Sequence, residues 1–361
     1  MEERYIATML LHAVGDTIGF KNGDWEFFSN NQPYSDTLEK LYEFINLGGV
    51  NNINLDGWHV SDDTILHIAI ASSLTSKYES DEELNQITVK KIISACDEII
   101  EDDIKKKYRY IGDATKRHYD MLKKGNDWKK FPFDARGGGN GAAMRSHCIG
   151  LAFCGIDNRE KLIQYAIDSS KMTHTNPIGW MGGVVIALMT AFAIEDIHIN
   201  KWMPLLSEIL ASEKIKKNID MNNADEVVAY ETFIQNVKSY YEARFKEGKP
   251  IITKANTNFI QRLMFYNSLF DDNMSKYGKS GYSAVIVAYD CLVDAKDSWE
   301  KLIIYAMINN FDSDTIGSIA GGLFGAINGI RDIPKNNWNN NEKKESLIKL
   351  GKLLYRKYHK L

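Results

Sequence analysis

The chain has 361 residues, 44% hydrophobic and 25% charged, with 44 Lys+Arg against 48 Asp+Glu and a formal net charge of −4. A chain of that length buries a large core, and that composition belongs to a globular protein rather than a disordered one. The slight acidity excludes a protein that coats nucleic acid or an anionic membrane through net charge, but it leaves room for a local anion site.

Taken in chain order, the elements are helical. Met1-Glu2-Glu3-Arg4 lacks the character of a cationic leader, and Ile6, Met9, Leu10, Ala13 and Val14 then fall at helix spacing. Glu26 follows as a lone acid in Trp25-Glu26-Phe27, readable as a surface-loop acid or as one whose pKa burial raises. Ser61-Asp62-Asp63-Thr64 precedes an apolar helix, Ile65 to Leu74, and Leu84, Ile87, Ile92, Cys96 and Ile99 keep helical period in part. The glycine run Gly137-Gly138-Gly139 leads into Asn140-Gly141, with a helix expected to begin near Ala142. Further helices are predicted over 159–171, 224–246, 256–270, 282–294, 298–309 and 342–358.

Pro177 to Ile194 is 18 residues without a charge, at the short end of what spans a bilayer. It is isolated and opens with glycines, so a helix buried all round at the centre of a domain is the preferred reading. Tyr277, Tyr282 and Tyr289 read as packing residues, with Tyr277 also kept as a substrate-side candidate. Gly317, Gly321 and Gly325 recur every fourth residue and predict a small-residue stripe for close helix contact. Alternating apolar and polar runs are nearly absent, so no sheet is expected. Six prolines fit long uninterrupted helices, while Gly48-Gly49 and Asn336 to Asn341 supply the punctuation. The expectation is one all-α domain over 1–361. Cys96, Cys148, Cys154 and Cys291 form no C-x-x-C pair and are too sparse for a disulfide framework. They read as reduced and buried, in an intracellular, cytoplasmic protein.

Two acidic clusters could carry chemistry, Ser61-Asp62-Asp63-Thr64 and Asp312-Ser313-Asp314-Thr315, each at a helix start. Capping explains one such cluster, because Ser, Thr and Asp are preferred N-caps and carboxylates complement the helix dipole. Two aspartates in each exceed what a cap requires, and hard oxygen ligands on rigid helix ends suit Mg²⁺. On residue chemistry alone, a metal site and a double cap stand about even. A D-x-D-x-T phosphatase nucleophile loop is a poor match, since it follows no strand and too little chain remains after Thr315. The run Arg136 to Arg145 could bring backbone N–H groups to a phosphate, although a tight turn between helices is the simpler reading, and it is no Walker A loop. His174, beside Asn176-Pro177, reads as structural on the same grounds.

In order along the chain, these segments resemble the ADP-ribosylglycohydrolase family, nearest to its ADP-ribosylarginine hydrolases. The resemblance rests on Gly15-Asp16-Thr17-Ile18-Gly19, Asn22 to Phe27, Val60 to Thr64, Gly138 to Arg145, Met172-Thr173-His174, Ile286 to Asp290, and Asp312 to Thr315 with Ile319-Ala320-Gly321. It covers essentially the whole chain. It implies a single large orthogonal helical domain with a binuclear Mg²⁺ site at the base of an ADP-ribose cleft. Ser61, Asp62, Asp63, Asp312, Asp314 and Thr315 would be metal ligands, with Asp63 positioning or deprotonating a water and Asp62 second in line. Gly138, Gly139, Asn140 and Gly141 would cradle the diphosphate. His174 and the turn Gly112-Asp113-Ala114 would line the pocket, and Glu26 would lie on a segment over the metals.

The implied partners are ADP-ribosylated proteins and ADP-ribose, with no nucleic acid, no membrane and a monomeric chain. Two departures fall where the acceptor would sit: Asn309-Asn310-Phe311 in place of Gly-Gly, and Tyr282-Ser283 in place of His-Asp. Another linkage, to serine or in O-acetyl-ADP-ribose, and a catalytically silent binding module are the alternatives.

Overall fold

The computed structural model describes residues 1–26, 33–251, 258–270, 277–309 and 311–359. Of the positions singled out above, Phe27, Asn310 and the first two residues of the predicted 256–270 helix lie outside them.

The long helices are α1 (Glu2–Phe20), α2 (Pro33–Asn46), α3 (Asp62–Thr75), α4 (Asp81–Ile104), α5 (Asp113–Lys123), α6 (His147–Ala152) and α7 (Arg159–Lys171). They continue as α8 (Pro177–Ile194), α9 (Trp202–Leu210), α10 (Ala224–Arg244), α11 (Phe259–Leu269), α12 (Gly281–Ala295), α13 (Ser313–Asn328) and α14 (Lys344–Tyr358). Several starts are set by a side chain that accepts an otherwise orphaned N–H. Ser61 does this for α3, Ser80 for α4, Asn176 for α8 with Pro177 behind it, Asn223 for α10 and Ser280 for α12.

Three predicted elements end differently. The 224–246 helix stops at Arg244, because Glu247 (φ 53°) and Gly248 (φ 72°) both take left-handed conformations and close a tight hairpin. Its arms, β1 (Phe245–Lys246) and β2 (Lys249–Pro250), form a two-stranded antiparallel sheet where none was expected. The 298–309 helix is one α-turn, Trp299–Leu302, continued as a π-turn, Ile303–Met307. No helix begins near Ala142; residues 141–145 are turns, and α6 starts at His147.

The uncharged α8 is long and apolar enough to cross a membrane by composition, yet 94% of it is buried inside the fold. It packs against α6, α7, α12 and α13, as a helix apolar on every face must. Beside it α1 and α13 run antiparallel and pack most intimately of all. A Cβ at Gly15 would lie 2.0 Å from Gly317 O, one at Gly19 would lie 2.2 Å from Ser313 O, and one at Gly321 would lie 2.2 Å from Leu11 O. The predicted small-residue stripe therefore brings two backbones together. It also sets the N-terminus of α13 against the last turns of α1. Behind this seam the rings of His12, His67 and His147 cluster, the first two stacked with centroids 4.1 Å apart. Burial pushes all three imidazoles well below their ordinary pKa, so they are neutral core groups. Cys96, Cys148 and Cys291 are buried as expected, while Cys154 is only half-buried.

Candidate active site

The site is built where the N-termini of α3 and α13 meet the C-terminal half of α1. Asp16 of α1, fully buried, accepts hydrogen bonds from Ser61 N (3.0 Å), Thr64 N (3.2 Å) and the Thr64 hydroxyl. That carboxylate fixes the start of α3. The Ser61 hydroxyl accepts the Asp63 N–H at 3.2 Å as the N-cap. Asp62 is held on both sides by one loop: its N–H donates to Arg109 O (3.0 Å), and its Oδ2 accepts from Gly112 N (3.3 Å). Asp63 accepts from Ser318 Oγ (2.9 Å) and Thr315 Oγ1 (3.4 Å) of α13, so the two helix starts are tied to each other. On α13, Asp314 Oδ1 accepts Thr315 N (2.9 Å), and Asp312 Oδ2 accepts the Asn140 amide (3.0 Å).

Asp62, Asp63, Asp312, Asp314 and Thr315 floor a cleft of about 640 Å³. Glu26, Asp312 and Asp314 each present a carboxylate oxygen within 4.8 Å of the others, close enough to share one cation. Asp62, Asp63 and Thr315 line the same cleft, as do Gly112, Asp113, Ala114, Gly139, Asn140, Gly141 and His174. The structure thus assembles most of the residues that the sequence singled out. Glu26 is the sharpest revision, since it stands among the candidate ligands rather than on a bland surface loop.

Three residues sit elsewhere. Ser61 is fully buried beneath the lining and engaged in its cap. Gly138 turns its carbonyl to Gly281 N (3.0 Å), and Tyr277 is buried against Phe311 with ring centroids 3.8 Å apart. Of the two departures, the described residues Tyr282 and Asn309 are not among those that line the cleft. Tyr282 packs on Phe233 and Phe270, and Asn309 caps its own turn through Ala306 O and Phe311 N.

The glycine loop works differently from the expected helix-start cradle. With no helix at Ala142, no dipole points into it, and the Asn140 N–H is taken by Lys279 O at 3.0 Å. What the loop gains instead is Arg136, the first residue of that run, and Lys279, which the sequence reading did not pick out, both on the cleft wall. Gly141 has a steric reason, because a Cβ there would lie 2.8 Å from the His174 ring. His174 is buried and held by the Thr173 hydroxyl at 2.8 Å, and burial beside Arg145 keeps its imidazole neutral.

Electrostatics separate capping from ion binding. A helix N-terminus stabilises a carboxylate by about 0.3–1 kcal/mol. Taking an ionised carboxylate out of water costs several kcal/mol. Burial first, and then mutual repulsion, push Glu26, Asp62, Asp63 and Asp314 well above the ordinary carboxylate range, and Asp312 is raised too. Caps and dipoles are too weak to keep so many acids ionised together; protonation or a bound cation would relieve them. Behind them Lys40 is buried, with its ammonium donating to Trp25 O and Asn309 O (2.5 Å). It ties the Glu26 segment to the chain leading into Asp312. Burial lowers its pKa to about 7, with Asp314 the strongest opposing charge. In sequence Asp16 figured only within the Gly15-Asp16-Thr17 motif with no role assigned, and Lys40 was not singled out. An acid inside the apolar run of α1 was a readable signal for the first; nothing marked the second.

The sequence profile of the ADP-ribosylglycohydrolase family matches residues 1–360. The chain is 30% identical to ADP-ribosylhydrolase ARH1 of Dictyostelium discoideum over 97% of this chain and 93% of that protein. It is 33% identical to the putative ADP-ribosyl glycohydrolase L444 of Acanthamoeba polyphaga mimivirus, over 87% of this chain but only 62% of the viral protein. Among solved structures, a chain of an ADP-ribosylglycohydrolase-related protein complex superposes with TM-score 0.64 over 99% of this chain and 98% of its own, at 17% identity. That likeness is one of fold.

Proposed function

The chain belongs to the ADP-ribosylglycohydrolase family and is a hydrolase of that family, and from that premise we propose that it frees ADP-ribose from proteins by cleaving its N-glycosidic bond to arginine, with two Mg²⁺ ions as cofactor. The observation that carries this reading is the convergence of Glu26, Asp62, Asp63, Asp312 and Asp314 in one buried cleft. Their donor set fits the ion. All are hard carboxylate oxygens, they repel one another, and the described cations around them cannot balance them. Glu26, Asp62, Asp63, Asp312, Asp314 and Thr315 would hold the metal. When bound there, Mg²⁺ supplies Lewis acidity that lowers the pKa of water and orients sugar hydroxyls.

The chain's own residues supply the rest. Arg136 and Lys279 face the ligand's diphosphate from the wall, where the acidic floor would otherwise repel it. The neutral His174 offers a ring face and a hydrogen bond without adding charge. Asn140 is braced between Gly278 O (2.6 Å) and Asp312, so the loop and the acidic floor keep a fixed spacing. Asp63, which accepts hydrogen bonds from Ser318 and Thr315, would orient a water and take its proton as the sugar carbon gains oxocarbenium character.

Turnover of ADP-ribosylarginine with Mg²⁺ and with chelator tests the reading. Release of ADP-ribose only with the metal is expected. Asp63→Asn should lower the rate by about 10²-fold or more, as loss of a general base does, with an unchanged far-UV circular dichroism spectrum. Release that survives chelation removes the metal from the proposal, and full activity of the variant removes Asp63.

A further inference from the structure

Tyr110 is an unusual residue for a cleft rim. It lines the acidic cleft, yet it is 52% exposed, and its neighbour Tyr108 is 47% exposed. The two rings lie parallel at 8°, with centroids 6.2 Å apart. The Tyr110 backbone is left-handed at φ 54°, a conformation that a bulky aromatic rarely adopts and that costs strain.

The surroundings hold that conformation. The loop is pinned on either side of Tyr110 to Asp62, through Arg109 O and Gly112 N. Arg109 is itself buried, with its guanidinium donating to Glu342 (2.8 Å) and Asp102 (2.7 Å). The ring meets Phe20 edge-on at 5.6 Å, and it rests over Gly23, where a Cβ would lie 2.8 Å from it. Gly23 is thus a residue that leaves room for this ring.

The charges reaching the ring come chiefly from Glu26, Asp103 and Asp24, all acidic. A half-exposed aromatic ring in a negative field attracts a planar cation and repels a phosphate. Its loop is hydrogen-bonded to Asp62 and the field of Glu26 reaches it, so the ring stands beside the acidic floor of the cleft.

We propose that Tyr110 is the acceptor-side specificity residue: the guanidinium of the modified arginine stacks on its ring as the bond to ribose is cleaved. This rests on the arginine reading above, and it gives that reading a recognising surface.

The test measures KM for ADP-ribosylarginine and Kd for ADP-ribose on the full chain and on Tyr110→Ala, Tyr110→Leu and Tyr110→Phe. Loss of a stacked cation is expected to raise KM about tenfold in the Ala and Leu variants. Kd for ADP-ribose should stay within about twofold, and Tyr110→Phe should keep the original KM. The Leu variant guards against a merely collapsed loop, because it retains bulk without a π-face. An equal rise in KM and Kd would assign the ring to the nucleotide or to loop architecture and overturn the proposal. An unchanged KM would overturn it as well, while leaving the arginine reading intact. A wild-type chain that does not cleave the arginine linkage would overturn both.

Discussion

Single residues show how much of this site is organised from beneath. Asp16 touches no ligand-facing group directly, yet it accepts three hydrogen bonds that set where α3 begins. Asp16→Ala would strand the buried Ser61 and Thr64 N–H groups and the Thr64 hydroxyl, at about 1–3 kcal/mol for an unsatisfied group. The expected outcome is a loss of about 2–4 kcal/mol in urea unfolding. Asp16→Asn, which keeps an acceptor, should lose less. Equal stability of Asp16→Ala and the parent would show that the α3 start does not depend on this carboxylate. The paired aspartates were legible in sequence because both clusters set two Asp among Ser and Thr directly before an uncharged, largely apolar helix. Glu26 was ambiguous, because only the fold brings Asp312 and Asp314 to it.

At the scale of elements, the glycine seam between α1 and α13 is the main device. The seam sets the N-terminus of α13 against the stretch of α1 that carries Asp16, and Asp16 in turn fixes the start of α3. Removing the side chains lets the backbones close, and Asp63 then reaches Thr315 and Ser318. Gly15→Ala would drive a methyl into the Gly317 carbonyl, 2.0 Å away, with backbone on both sides and nothing flexible to yield. Overpacking of this kind costs about 1–3 kcal/mol. Thermal unfolding should show a clear drop in Tm, accompanied by weaker divalent-ion binding because the two acidic helix starts move apart. A Tm drop with unchanged ion affinity would detach the seam from the site. Repetition at every fourth residue made the stripe legible, whereas the identity of its partner helix was not.

For the molecule as a whole, buried ion pairs knit distant helices together. Asp290 of α12 is buried between Arg244 of α10 (2.6 Å) and Arg262 of α11 (2.7 Å), with Tyr240 and Tyr266 donating to it as well. These guanidinium groups hold its carboxyl below the ordinary range despite burial. Arg109 and Lys107 likewise hold Glu342 down to about 2. Both carboxyls have folded pKa values below their unfolded ones. Their contribution is therefore complete above the ordinary carboxylate pKa of about 4 and drains away as the pH falls toward 2. Urea midpoints should be flat from about pH 7 to 5 for these groups and fall steeply below about pH 4. Glu342→Gln should be less stable at neutral pH and show a shallower acid limb. An acid limb identical to the parent's would remove Glu342 from the account.

Much of this molecule is written in local pattern. Helical periodicity, Ser and Asn caps, one wholly apolar segment and two acidic helix starts all depend on neighbours within a few residues, so they can be read before any packing is known. The exceptions are equally physical. The hairpin at Glu247-Gly248 depends on two left-handed residues, and the π-turn after Leu302 depends on how that helix is packed. The meeting of Glu26 with Asp312 and Asp314, the burial of Ser61 under its own cap, and the strained Tyr110 over Gly23 belong to the assembled fold. Each joins residues that no local rule relates, and packing of whole helices sets the distance between them.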